Sequence, residues 1–232
     1  LLLPRTDLGA LFPDAAAQWL TQRGAQVHLG QRVAQLRWSA PHWLLDDQPF
    51  ERVVWATSAS NSASALAGCA GAAPDFIANA LRTWAHQADA LRFEAITTVY
   101  AWAPQARLPH PMLALRATPD APAQFVFDRG QLGGPRGLLA FVVSASSGTR
   151  DAVQAAVLAQ AQTELVALGV PPLQALLTVV EKRATFACLP GLLRPPQTIA
   201  QGLLAAGDYV QGPYPATLEG AVRSGWAAGC LP

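Results

Sequence analysis

Near its C-terminus the chain carries Gly207-Asp208-Tyr209, a short loop, and then Pro215-Ala216-Thr217-Leu218-Glu219-Gly220-Ala221-Val222-Arg223-Ser224-Gly225. The apolar run Leu203 to Ala206 reads as a buried strand, so Asp208 stands past a strand's carboxyl end, where open α/β sheets bind ligands. A carboxylate there can accept hydrogen bonds from sugar-like hydroxyls. Pro215 suits the first position of a helix, which leaves the N–H groups of Ala216, Thr217 and Leu218 free. With the helix dipole, those groups suit an electron-rich carbonyl or an anion. Thr217, Ala221, Ser224, Gly225 and Ala228 give the helix a face of small residues, and Glu219 and Arg223 form an i,i+4 pair. The same residues also suit an ordinary strand-turn-helix with a tightly packed last helix. From the residues alone the two readings have equal weight.

Other chemistry-bearing residues are scattered. His28, His42, His86 and His110 are far apart with no cysteine or carboxylate at ligand spacing, which argues against a metal site. Ser144, Ser146 and Ser147 lack a GxSxG elbow, so hydrolase chemistry has little support. Asp128-Arg129 reads as a turn or an ion pair. Glu181, Lys182 and Arg183 read as a solvated sheet face, with Glu181 and Asp128 as guesses for a general acid. Tyr214 suits either stacking on a ring ligand or plain packing.

Hydrophobic residues make up 51% of the 232 and charged residues only 13%, which excludes a disordered chain and leaves little solvated surface. Some apolar surface should therefore meet a partner, a lipid-like substrate or another part of the protein. The formal net charge is +1 and the arginines are dispersed, so no nucleic-acid footprint is present. Lys182 is the only lysine, which with abundant alanine and proline suggests a GC-rich bacterial genome. No apolar run approaches the roughly 20 residues of a membrane-spanning helix. Cys69, Cys188 and Cys230 are odd in number and form no CxxC, consistent with inert thiols in a reducing cytoplasm.

Stepping from these residues to the elements that carry them, Pro13-Asp14 and Gly24 bracket a helix whose apolar spacing predicts one buried face. Strands are predicted at Ala25 to Leu29, Ala34 to Trp38, Trp43 to Leu45 and Arg52 to Ala56, the last covered on both faces. Residues 59–74 read as a connecting loop. Strands follow at Ala95 to Trp102, Gln124 to Asp128, Leu138 to Ser144 and Leu177 to Phe186, with a helix over Asp151 to Leu168. The order α/β, α+β, α/β predicts one domain interrupted by another: residues 1–67 and 198–232 around a middle domain at 68–197 with an antiparallel sheet.

Gly-Asp, a Gly/Pro loop, then Pro-Ala-Thr-Leu-Glu-Gly-Ala-Val-x-Ser-Gly resembles the C-terminal FAD signature of flavin amine oxidases and phytoene desaturases. The resemblance implies that Asp208, beside Gly207, contacts the ribityl–phosphate portion of FAD. It also implies that the helix start, Pro215 with Ala216, Thr217 and Leu218, approaches the pyrimidine edge of the isoalloxazine. The segment after Gly24 is similar to that family's adenine-contacting segment, which implies a backbone contact from Val33. Pro4-Arg5-Thr6-Asp7-Leu8, Phe125 to Gly130 and Glu181 to Phe186 look like the hydroxysqualene dehydroxylase family of bacterial hopanoid synthesis. That resemblance implies reduction of hydroxysqualene to squalene, a hydrophobic isoprenoid substrate, and a cytoplasmic location that allows peripheral contact with the inner membrane.

One departure stands out. Members of the family open on a GxGxxG strand-turn-helix for the diphosphate, and no such motif occurs here. Gly130, Gly133, Gly134 and Gly137 have the wrong spacing. The expectation is a partial, Rossmann-like FAD-binding domain interrupted by a substrate domain. The missing segment of the same protein would precede Leu1, and the fragment alone would be inactive and retain no FAD. A flavin amine oxidase and a non-enzymatic binding fragment are the alternatives.

Overall fold

The computed structural model describes residues 2–230. Helices α1 (Leu8–Leu11) and α2 (Pro13–Gln22) begin as the residues dictate. The Asp7 carboxylate accepts from the Ala10 N–H at 2.9 Å, and proline opens α2. Gly24, at φ +82°, follows its end. The expected buried face is not found: neither helix has a buried residue, and Leu8, Leu11, Phe12, Trp19 and Leu20 are exposed. Apolar spacing defines a face, but burial needs a counter-surface. Nor do residues 25–29 form a strand. Alternation there meets no ladder partner among the described residues.

Next comes an antiparallel meander of β1 (Leu36–Ser39), β2 (His42–Leu45) and β3 (Gln48–Phe50). Trp43 is fully buried at its centre, with the Trp38 ring edge-on at 5.0 Å. At the β2–β3 turn, the Asp46 carboxylate accepts from Ala34 N at 3.0 Å and Gln35 N at 2.8 Å, fixing the backbone just after Val33. Strand β4 (Val53–Trp55) buries Val53 but leaves Val54 exposed, so it is covered on one face and not two.

The expected loop at 59–74 is instead mostly α3 (Ala59–Ala70), followed by α4 (Asp75–Asp89), which the pattern reading passed over. Alanine is the strongest helix former, and Ser62, Leu66 and Cys69 recur at helical spacing and are buried. The small side chains let α3 pack closely on α4. That helix buries Ile77, Leu81, Trp84 and Ala88 in the same core.

Five strands then form a second sheet in the order β6-β7-β8-β5-β9. They are β5 (Phe93–Trp102), β6 (Met112–Ala114), β7 (Phe125–Asp128), β8 (Leu138–Ser144) and β9 (Gln174–Phe186). The β5–β8, β6–β7 and β7–β8 pairs are antiparallel. Helix α5 (Arg150–Glu164), capped by Thr149, brings Val153, Val157 and Ala161 into one core with Val99, Val126 and Phe141. Full burial of each valine or phenylalanine contributes about 1.5–3 kcal/mol. The predicted last turn of this helix is a separate 3₁₀ turn ending at Gly169.

The chain finishes with β10 (Thr198–Ala200), β11 (Leu203–Ala205) and α6 (Leu218–Cys230). Strand β11 pairs antiparallel with β10 and parallel with β4, joining residues some 150 positions apart. Two compact units result, one made of Leu1–Leu29 with Glu94–Thr185 and the other of Gly30–Phe93 with Phe186–Pro232. They divide the chain at different points from the boundaries read from sequence. The class is mixed α/β and α+β, and each unit is built from two separate stretches of the chain.

Candidate functional site

In the discontinuous α/β unit, parallel β4 and β11 end side by side, and the Ala206 N–H donates to Trp55 O at 3.1 Å beyond the last strand pair. Thr57 follows one strand and Asp208 the other, both on the ligand-binding side of a parallel sheet. Tyr209, buried, ties the two together. Its hydroxyl donates to Thr57 O at 3.0 Å, lies 3.2 Å from Ser62 Oγ, and its ring meets Trp84 edge-on at 6.2 Å. An added Cβ at Gly207 would stand 2.5 Å from the Tyr209 ring, so only glycine fits before Asp208.

Asp208 is half-buried, and its carboxylate receives backbone N–H groups from its own turn. Burial pushes its pKa up, while those N–H groups and the Arg194 charge pull it partly back. A carboxylate so placed retains capacity to accept hydrogen bonds from hydroxyl donors.

The helix start differs from expectation. Pro215 is not its first residue; it lies between Tyr214 at φ +57° and Ala216 at φ +56°, and α6 begins at Leu218. The Ala216 N–H points back to Asp208 O at 3.4 Å. Thr217 is the cap: its hydroxyl donates to Tyr214 O at 2.7 Å and accepts from Gly220 N at 3.0 Å. The unpaired first-turn donors are therefore displaced toward Leu218 and Glu219. A side chain at Gly220 would meet Tyr214 O at 2.2 Å, which explains the glycine. Tyr214 is exposed under the Arg223 guanidinium, which in turn pairs with Glu219 at 2.6 Å. Of the expected small face only Ala228 is buried, while Thr217 and Gly225 are exposed; Gly220, outside that face, is buried, and Ser224 Oγ accepts from Gly207 N at 2.8 Å.

Val33 lines a cleft of about 900 Å³ with Gln31, Arg32, Trp55, Thr57 and Asn61. The buried Trp55 indole N–H has no acceptor among the described residues. Asp208 and the 215–218 turn do not line this cleft; Thr57 links the two places, lining the cleft and holding Tyr209. The orphaned donor and the receptive carboxylate at adjacent strand ends fit an extended, polar cofactor such as FAD. Sequence reading missed Thr57, Ser62, Tyr209 and Arg194, whose roles arise from contacts across the chain that no short motif encodes.

The remaining candidates are structural. Asp128 is buried and accepts from Leu108 N at 3.0 Å and Gln131 Nε2 at 2.8 Å, the turn reading. Glu181, Lys182 and Arg183 are exposed on β9. Ser146 pairs with Thr97 at 2.7 Å. No group of three metal-ligating side chains exists among the described residues.

The chain belongs to the flavin containing amine oxidoreductase family, whose model matches residues 8–231. A comparison with curated proteins finds no match. Among solved structures, it is similar to an oxidoreductase from Methanosarcina mazei (TM-score 0.65, 16% identity, 93% of this chain and 52% of that one). A proposed protoporphyrinogen oxidase from Exiguobacterium sp. 255-15 gives TM-score 0.61, 14% identity, and coverage of 98% and 52%. Reduced UDP-galactopyranose mutase gives TM-score 0.58, 11% identity, and coverage of 84% and 44%. The chain thus spans about half the length of the solved relatives it matches.

Proposed function

We propose that the chain is the C-terminal portion of an FAD-dependent oxidoreductase acting on a polyisoprenoid, with hydroxysqualene reduced to squalene in bacterial hopanoid synthesis. Asp208 and Gly207 would hold the ribityl–phosphate portion, the Pro215, Ala216, Thr217 and Leu218 turn the pyrimidine edge, and Val33 the adenine through its backbone. Bound and reduced, FAD supplies the hydride that replaces an allylic hydroxyl, which leaves with one proton as water. The rest of the same protein would supply the diphosphate cradle.

The observation that carries the substrate class is one face of the five-stranded sheet. Strand register places Ile96, Tyr100, Trp102, Val142, Phe125, Phe127 and Met112 together on the side away from α5. All are half-buried. Such a surface suits a long hydrocarbon. Oxidation of a cationic amine calls for carboxylates, and on β5 the half-buried part of this face has none, Glu94 at its end being exposed. No described helix is long and apolar enough to cross a membrane; the proposal includes access to a membrane-dissolved substrate by peripheral contact from the cytoplasm.

The test is to purify the full-length protein, record its flavin spectrum, and incubate the reduced form anaerobically with hydroxysqualene. Squalene formed in step with flavin reoxidation is the expected result. A flavoprotein that leaves hydroxysqualene untouched but is reduced by amines would make the amine oxidase reading correct. A protein without flavin would leave a binding fragment.

A further inference from the structure

The turn carrying Asp208 is held from three directions, by Tyr209 and Ser224 of its own motif and by Arg194 from outside it. The Arg194 guanidinium donates to the Val210 carbonyl at 2.9 Å and also to the Gly212 carbonyl, and lies 5.9 Å from the centre of the Phe186 ring. Tyr209 is anchored to Thr57 O, and Gly207 N to Ser224 Oγ. Ser224 is itself tied down, because Gln197 Nε2 donates to its carbonyl at 2.7 Å. Loop carbonyls ordinarily turn to water. A planar fork that reaches two of them, two residues apart, fixes their mutual direction as a single ammonium does not. The Asp208 carboxylate, by contrast, accepts from N–H groups of its own turn, and Arg194 acts on it through its charge. A receptive group on a fully restrained turn is the arrangement of a preorganised ligand contact.

We propose that Arg194 is a positioning residue for the cofactor, acting through the Asp208 turn by fixing Val210 to Gly212. The proposal rests on the FAD reading above and adds to it a residue that touches the turn and not the ligand.

A double-mutant cycle tests it. In the full-length protein, FAD dissociation constants are measured for wild type, Arg194→Met, Asp208→Asn and the double variant, together with apoprotein melting temperatures. Expected is a loss of about ten-fold or more in Arg194→Met, a double variant about as weak as Asp208→Asn alone, and apoprotein melting little changed. Losses that multiply in the double variant would overturn the proposal, as a direct contact or an unrelated role would produce them. Unaltered affinity in Arg194→Met would overturn it too. If that apoprotein melts far lower, Arg194→Lys decides: with a single ammonium holding the turn, this variant should still show weakened FAD affinity, and wild-type affinity there would refute the fork. A wild type that binds no FAD overturns the cofactor reading and this inference together; a wild type that binds with Arg194→Met unaffected overturns this inference alone.

Discussion

Asp208 is where binding and folding pull in opposite directions. Burial raises its folded pKa above the unfolded carboxylate value, so the fold favours the neutral acid. Its contribution is complete below the unfolded pKa, about 3.9, and is lost as pH rises through the folded value. Asp208→Asn should therefore melt higher than wild type in the apo state at neutral pH. The difference should close in acid, as a pair of thermal melts across pH would show. The same position governs the ligand: Asp208→Ala should lose flavin, since a charge-assisted hydrogen bond contributes roughly 1.5–3 kcal/mol. Thr217→Val should retain more flavin than Asp208→Ala, measured as flavin-to-protein ratio after gel filtration. It should nonetheless cost about 1 kcal/mol of stability, because the hydroxyl caps α6. Equal flavin content in Asp208→Ala and wild type would remove Asp208 from the site.

The Asp208–Leu218 segment shows how an element's start depends on more than its residues. Pro215 at the first helical position is sound local chemistry, yet the helix begins three residues later because Tyr214 and Ala216 both adopt the left-handed region. For a residue with a Cβ that conformation costs roughly 1–2 kcal/mol. Ala216→Gly should accordingly raise the midpoint of chemical unfolding of the apoprotein, and an unchanged or lowered midpoint would show that no strain resides there. Helix α3 teaches the converse. Its Ala-Ser-Gly composition resembles a linker, but small side chains also suit a helix pressed against another, and α4 supplies that surface.

At the scale of the whole molecule, each unit has its own core, one built around Trp43, Trp84 and Leu203 and the other around Val99, Phe141 and Val157. The apolar residues of α1, α2 and the outer side of α6, among them Phe12, Trp19, Leu218 and Trp226, remain exposed. Exposure on that scale is what a surface met by a partner, a ligand or another part of the protein shows. The 232-residue chain by itself should therefore bind FAD poorly, because Asp208 and the α6 start would grip only part of the cofactor. Purified alone it should show no flavin absorbance, and a one-to-one flavin complex would refute this.

A continuous apolar run, helical spacing and a strong local signature were legible in the sequence itself. Leu138 to Ser144 follows from its apolar run, the helix predicted over Asp151 to Leu168 and found at Arg150–Glu164 follows from periodicity, and the Asp208 turn follows from its motif, because their signals lie within a few residues. Only the tertiary structure decided that β4 and β11 are parallel neighbours, that Tyr209 bonds to Thr57, and that Arg194 holds Val210 and Gly212. It also decided that α2 and residues 25–29 bury nothing. Burial and strand pairing need a second surface, and a sequence shows which face would be buried without showing what stands opposite it.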